Sequence, residues 1–488
     1  MNPIKQLFGQ TAIYGMGIVL PRLLNYLLLT PFYTRIFATG EYGIITELYA
    51  YVVFLLVVLT YGMETGFFRF ASERKDHKDI YTSVLLSVFT TSLLFVMLVL
   101  LFIKPVSSVL GYSSNPEYIK WLAIIVSIDA FTAIPFARIR LLNKPGKYAI
   151  IRIVEVLINI GLNVFFLFYC ERHMEIEWIQ KIYNPQIGAG YVLISNLAAS
   201  SIKLILLLPD IFAVFRGYFN PALFRKILKY SYPLLIAGLA GTINEALDRV
   251  LLKHLLDPSE NPMAQLGIYG ANYKIAVLMT LYVQMFKYAA EPFFFSKSGQ
   301  KDAKKLYADI MIFFVVPGLL IFLGVMLYMD YFILFIGSDF RGGAGIVPVI
   351  LLANLVMGIF FNLSIWYKLT NKTLIGAALV LIGAGFTILI NFLFIPKYGY
   401  VASAWAHLVC YTVMVILSYS ISRKHYSIPY NVKKILMYIS LTILLFLADF
   451  ILGEKLQQGR HLLKLVLLAT AISIFYIGER KTLKQYRT

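Results

Sequence analysis

Apolar runs of about 20 residues follow one another along the whole chain, separated by short polar stretches in which Lys and Arg cluster. Each run is long enough to cross a hydrocarbon core of roughly 30 Å. A backbone facing lipid must satisfy its own hydrogen bonds, so each run is expected to be a helix. The runs are continuously apolar rather than alternating, which argues against a transmembrane barrel. Fourteen helices are expected, at roughly 10–34, 43–67, 81–103, 118–140, 148–170, 189–213, 230–254, 267–293, 307–329, 344–367, 373–395, 399–421, 432–452 and 461–478. The fold class is therefore all-α and polytopic, and no stretch of about a hundred residues is left for a separate soluble domain. The weakly basic N-terminus leads into an apolar run without a small-residue cleavage site, so it reads as a retained first span.

The polar stretches orient the spans. One set holds Arg74, Lys75 and Lys78; Arg140, Lys144 and Lys147; Arg225, Lys226 and Lys229; Lys301, Lys304 and Lys305; and Arg423, Lys424, Lys433 and Lys434. The tail adds Arg480, Lys481, Lys484 and Arg487 to that side. The opposite set is poor in bases and carries acids such as Glu175, Glu177, Asp257 and Glu260. Basic loops stay inside, so both termini are expected in the cytoplasm of a bacterial inner-membrane protein, which needs an even number of spans.

Composition agrees with this reading. The 488 residues are 59% hydrophobic and 14% charged, against about 25% charged in soluble domains. The net charge of +19 does not imply nucleic acid, because the bases sit in short clusters between spans. Cys170 and Cys410 are isolated in or beside apolar segments, which suggests neither a disulfide framework nor a thiolate metal site.

The chain also matches itself at an offset of about 227 residues. Tyr42-Gly43 falls on Tyr269-Gly270, Glu64 on Glu291, Phe67-Phe68 on Phe294-Phe295, and Arg22 on Arg249. One residue further, Asn143-Lys144 falls on Asn371-Lys372 and Asn163 on Asn391. The repeat pairs helices 1–6 with 7–12 and implies a six-helix half at 1–215, a second at 216–425, and two additional helices with a tail at 426–488. Parallel halves of this kind are related by an axis along the membrane normal, with a substrate site between them near mid-membrane.

Ionisable residues inside the expected spans are the candidate chemistry. The bases are Arg22, Arg152, Arg249, Lys274 and Lys287; the acids are Glu47, Glu64, Asp129, Glu155, Glu245, Asp248 and Glu291. Each costs about 2.5–3.5 kcal/mol at a helix centre, so each should face a cavity or a partner. Arg152, Glu155, Asn159 and Asn163 fall within roughly an 80° arc of the fifth helix. In the seventh, Glu245 and Arg249 are four apart with Asp248 beside them; in the eighth, Gln284, Lys287 and Glu291 share a face. The plain reading is interhelical pairing: Arg152 with Glu155, Glu245 with Arg249, Lys287 with Glu291. Taken across helices 1, 2, 5, 7 and 8, the set instead points to a polar cavity for a substrate with an anionic group, its acids orienting the bases or binding a coupling Na⁺ or H⁺. Pro21, Pro31 and Pro233 would kink helices one and seven. The six histidines fit no metal spacing, and no phosphate-binding Gly-rich loop is present, so neither a catalytic site, a cofactor nor a built-in ATPase is expected.

Several motifs resemble a known family. Asp248-Arg249, Tyr269-Gly270 followed by Glu291-Pro292-Phe293, and Asn391-Phe-Leu-Phe-Ile-Pro396-Lys-Tyr-Gly399-Tyr-Val-Ala402 are similar to patterns of the Wzx-type oligosaccharide flippases. These polysaccharide biosynthesis proteins belong to the multidrug/oligosaccharidyl-lipid/polysaccharide exporter superfamily. Ala402 departs from the family's usual Gly but remains small. The resemblance implies a MATE-like fold of two six-helix bundles plus two helices. It also implies flipping of an oligosaccharide on polyprenyl pyrophosphate, for O-antigen, capsule or exopolysaccharide, from the cytoplasmic to the outer leaflet. Membrane lipids, a polysaccharide polymerase and glycosyltransferases would be the partners. Arg22 and Arg249 would hold the pyrophosphate, supported by Arg152 and Lys274 or Lys287, since Arg suits bidentate contact with phosphate. Glu47, Asp248 and Glu245 would orient them or bind the coupling ion. A lipid II flippase and a cation-coupled multidrug antiporter of the same superfamily are the alternatives; the buried arginines argue against a cationic cargo. A glycan polymerase or ligase would need a larger loop than 171–188.

Overall fold

The computed structural model describes residues 19–72, 77–453 and 459–485. The part of the first expected helix before residue 19, the loop bases Arg74 and Lys75, and Arg487 lie outside the described residues. Nearly every described residue is helical, and no strand occurs among them.

The first helix, α1, is described over 19–36 and loosens into a π-helical turn at Asn25–Leu29. α2, Thr39–Ser72, begins where the Ala38 N–H donates to the Glu41 carboxylate at 3.0 Å, a capping contact that satisfies one unpaired donor of the first turn. It is broken at Tyr61 and Gly62, both at positive φ. α3 (Lys78–Leu101), α4 (Pro116–Leu141), α5 (Pro145–Cys170), α6 (Gly190–Phe215) and α7 (Pro221–Leu255) follow. Then come α8 (Pro262–Ile275), α9 (Val277–Lys297), α10 (Ala303–Leu327), α11 (Ser338–Leu369), α12 (Thr373–Tyr398), α13 (Tyr400–His425), α14 (Val432–Gly453) and α15 (Arg460–Gln485). α4, α5, α7 and α8 each open on proline. The first turn has no intrahelical acceptor for a backbone N–H, so the missing donor is harmless there.

Eleven of the described helices are long and apolar enough to cross a membrane. Three of the fourteen expected spans are not among the eleven: the first, which is described only from residue 19, and the seventh and eighth, which are present as helices α7 and α8–α9. α7 carries Glu245, Asp248, Arg249 and Lys253 within its last three turns, and the eighth span is interrupted at Ala276, which leaves α8 only 14 residues long. Large apolar side chains face outward along the other helices, among them Leu94, Met97 and Leu101 of α3 and Leu389, Phe392 and Leu393 of α12. Buried polar groups include Glu47, Lys203, Asp210, Asp248 and Lys464. This pattern, apolar outside with ions inside, suits a protein solvated by lipid.

By contacts the chain divides into two compact units, Met1–Lys253 with Asn261–Gly267, and His254–Glu260 with Ile268–Thr488. In the first, Met63, Phe67, Tyr81, Val84, Ile134 and Ile227 form a core between α2, α3, α4 and α7. In the second, Phe360, Trp366, Cys410 and Met414 join α11 to α13, while α14 and α15 pack on α10. Both units end a helix in the same way at repeat-related positions. Asn143 (φ 51°) and Asn371 (φ 55°) are left-handed, a conformation Asn tolerates better than most side chains. The following amides close each end, Lys144 donating to the Ile139 carbonyl and Lys372 to that of Tyr367.

Candidate functional site

Three polar constellations lie inside the first unit. The Glu47 carboxylate on α2 is fully buried. It accepts hydrogen bonds from the hydroxyls of Tyr51 (2.7 Å) and Tyr112 (2.5 Å) and from Lys253 Nζ of α7 (3.0 Å). Lys253 also donates to the Leu110 carbonyl and lies 4.3 Å from the Tyr112 ring centroid. A buried carboxylate is tolerable only with such company.

The second constellation joins α4, α5 and α6. Arg152 donates to Glu155 at 3.0 Å, as the polar stripe suggests, and its guanidinium lies 4.2 Å from the Phe136 centroid. The centre of the cluster, however, is Lys203 of α6. Its ammonium is 2.6 Å from both Asp129 and Glu155, and Ser200 donates to Asp129 at 2.8 Å. Asn159 and Asn163 lie further along the α5 stripe, both buried. The Asn163 amide donates to the Asn159 carbonyl, and its oxygen accepts from Tyr33 of α1 at 2.8 Å.

The third constellation is the charged stretch of α7. Asp248 and Asn244 are buried, Arg249 is half-buried, and Glu245 is exposed. Arg22 lies on an exposed face of α1 next to the buried Pro21. Glu64 takes part in none of these; it pairs with Arg140 of α4.

In the second unit, a cleft with about 370 Å³ of space open to its surroundings lies between α9 and α11. Phe286, Lys287, Glu291, Phe361, Asn362 and Lys368 line it. The expected pairing of Lys287 with Glu291 is replaced: Glu291 accepts from Lys368 at 2.6 Å, while Lys287 Nζ sits 4.4 Å from the Phe361 centroid. Asn362 is 2% exposed, and its amide nitrogen and oxygen have no hydrogen-bond partner among the described residues. A buried amide left open at both ends is costly unless something else satisfies it. Lys274 of α8 is exposed.

Lys203, Lys253 and Lys368 were not singled out by sequence reasoning. For Lys203 the signal was present, a single base in the run Ile202-Lys203-Leu204-Ile205-Leu206. Lys253 and Lys368 sit near helix ends, where a base is ordinary.

Comparison with known proteins sets these constellations in a family. Residues 8–298 match the family model described as polysaccharide biosynthesis protein. No curated protein sequence matches the chain. Among solved structures, a lipid II flippase MurJ in an inward closed conformation is similar with a TM-score of 0.71 at 14% identity, covering 96% of this chain and 99% of that one. An inward-facing multidrug resistance MATE family transporter of the MOP superfamily gives 0.61 at 12% identity, covering 86% and 100%. The MATE multidrug transporter DinF-BH gives 0.63 at 14% identity, covering 87% and 96%. The chain is thus a multi-pass membrane protein that belongs to the polysaccharide biosynthesis protein family and has the fold of the MOP-superfamily transporters.

Proposed function

We propose that this protein flips a polyprenyl-pyrophosphate-linked oligosaccharide from the cytoplasmic to the outer leaflet of a bacterial inner membrane, by alternating access between two six-helix halves at 1–215 and 216–425. The observation that carries this reading is the family match over residues 8–298. Membership links the chain to polysaccharide assembly, and the fold supports transport rather than a chemical step. The saccharide head needs a wet, polar path, while the lipid tail stays in the bilayer. Arg22 and Arg249 hold the pyrophosphate, with Lys274 and the Lys287–Lys368 cleft in support. Arg152 is already engaged by Glu155, so it contributes charge rather than direct contact. The bias of Lys and Arg toward one set of loops supports a cytoplasmic position for both termini. Glycosyltransferases supply the cargo and a polymerase receives it; Na⁺ or H⁺ entry through the acids of α2 and α7 drives the cycle.

A second cargo, lipid II, is favoured by the likeness to a lipid II flippase. Proteoliposomes carrying the purified protein separate the two readings. A fluorescent lipid-linked oligosaccharide should flip, with Arg22→Ala and Arg249→Ala each slowing it at least tenfold at normal reconstitution. Flipping of lipid II but not of the oligosaccharide selects the second reading. Full-rate flipping by both variants refutes the arginine assignment.

A further inference from the structure

Lys203 is held as an ion is held. Its ammonium lies 2.6 Å from Asp129 Oδ1, 2.6 Å from Glu155 Oε1 and 3.5 Å from Ser200 Oγ, and its side chain is 2% exposed. Ser200 donates to the same Asp129 oxygen, and the other oxygen of Glu155 accepts from Arg152. Two carboxylates and a hydroxyl around one small positive charge form the oxygen-rich surrounding that hard cations take. An ammonium is likewise a compact point charge, but this one is tethered to α6 and cannot leave.

The bundle itself does not demand these charges. One repeat later, Asp129, Arg152 and Glu155 are replaced by Met357, Val380 and Gly383 on α11 and α12. The second unit therefore builds the corresponding helices without ions at these positions. A buried ion network contributes little net stability over a well-packed apolar one, so its presence in one repeat alone calls for another reason.

We propose that the ammonium of Lys203 stands where an exchangeable coupling cation would sit, so that the first unit carries a built-in cation between Asp129 and Glu155. Any coupling ion must then bind elsewhere. The inference rests on the transport reading only where flipping is the measured quantity.

The test uses the full chain in nanodiscs and follows the melting temperature against NaCl or NH₄Cl, with choline chloride holding ionic strength constant. Lys203→Ala is prepared throughout in ammonium. It should melt lower than the wild type in choline and recover saturably as ammonium or Na⁺ fills the vacated position, as expected for a ligand that binds only the folded state. Wild type and Lys203→Arg, which keeps a tethered cation, should show no such saturation at this position. In proteoliposomes, Lys203→Ala should flip at least tenfold more slowly in choline and regain several-fold in ammonium. A Lys203→Ala protein indifferent to every small cation, or not recoverable in ammonium, overturns the proposal. So does a saturable Na⁺ stabilisation of the wild type that Asp129→Asn abolishes. The melting arm needs no cargo, so a wrong cargo leaves it standing, while a flat Lys203→Ala titration with intact wild-type flipping defeats this inference alone.

Discussion

Arg140 donates to Glu64 where the end of α4 meets the second half of α2. One repeat later the contact recurs: Lys368, at the end of α11, donates to Glu291 of α9 at 2.6 Å. Both bases stand three residues before the left-handed asparagines that end their helices, and the Asn143 and Asn371 amides donate to the Arg140 and Lys368 carbonyls. An ion pair, a helix end and a sequence offset thus repeat together. The acids are 40% exposed in both pairs and the bases 29% and 27%, so solvent screens them. Each pair should contribute only about 0.2–1 kcal/mol. Arg140→Ala or Lys368→Ala should lower stability within that range, and the swap Glu64→Arg/Arg140→Glu should restore most of it. Thermal unfolding in low and high salt checks this, since a screened pair loses its effect at high salt.

The start of α2 approaches the start of α8 through glycine. A Cβ on Gly43 would overlap the Met263 carbonyl, and one on Gly267 would overlap that of Thr39. Small residues allow this approach of helix backbones in a membrane. Gly43→Ala and Gly267→Ala should each cost about 1–3 kcal/mol, because the helices must part. Gly40→Ala, with nothing within 4 Å of its Cβ, should be neutral or slightly stabilising. The three melting temperatures measured side by side decide the matter.

The apolar runs made the helices legible, because a spanning segment must be apolar along its whole length. Local pairs were legible too: Arg152 and Glu155 are three apart on one helix and do meet. Partners on other helices were not. Lys203 reaches Asp129 across 74 residues, and Lys253 reaches Glu47 across 206. Periodicity tells which side chains share a face, not which helix that face meets. Lys287 and Glu291 show the consequence. Their spacing of four suggested a pair, but the aromatic Phe361 packs under Lys287, and Lys368 supplies the base for Glu291.

Asp330 tests how the last two helices are fastened to their unit. It lies in the short helix Met329–Phe332 after α10 and accepts from Lys464 of α15 at 2.6 Å, with Arg460 3.8 Å away. The Lys464 hydrogen bond, then the charges of Lys464 and Arg460, hold the Asp330 carboxyl below the ordinary carboxylate range. A carboxyl lowered in the folded state contributes its stability above its unfolded pKa and loses it as pH falls through the folded value. Wild type should therefore exceed Asp330→Asn by a constant margin from pH 7 to about 5; the margin should begin to shrink as pH falls through the ordinary carboxylate value of about 4 and disappear once pH passes below the lowered folded-state value. At 57% side-chain exposure the margin from the charge itself should stay below about 1 kcal/mol. Melting temperatures of the two proteins across that range give the answer.

Glu47 should behave in the opposite way to these exposed pairs. Its carboxylate has no exposure, and Tyr51, Tyr112 and Lys253 together fill three of its roughly four acceptor positions. Burial and the neighbouring Glu47 charge push the Tyr112 hydroxyl well above its ordinary value, so it remains a donor at every physiological pH. Removing one member of a buried pair leaves the other charge uncompensated, so Glu47→Gln or Lys253→Met should each cost about 3–5 kcal/mol. Tyr112→Phe, which removes a donor but no charge, should cost about 1–3 kcal/mol. The double variant Glu47→Gln/Lys253→Met should be markedly less destabilised than the two single losses added together, because it leaves no lone charge behind. Additive losses in that cycle would mean that Glu47 and Lys253 act independently, and the contact at 3.0 Å would then carry no energy of its own.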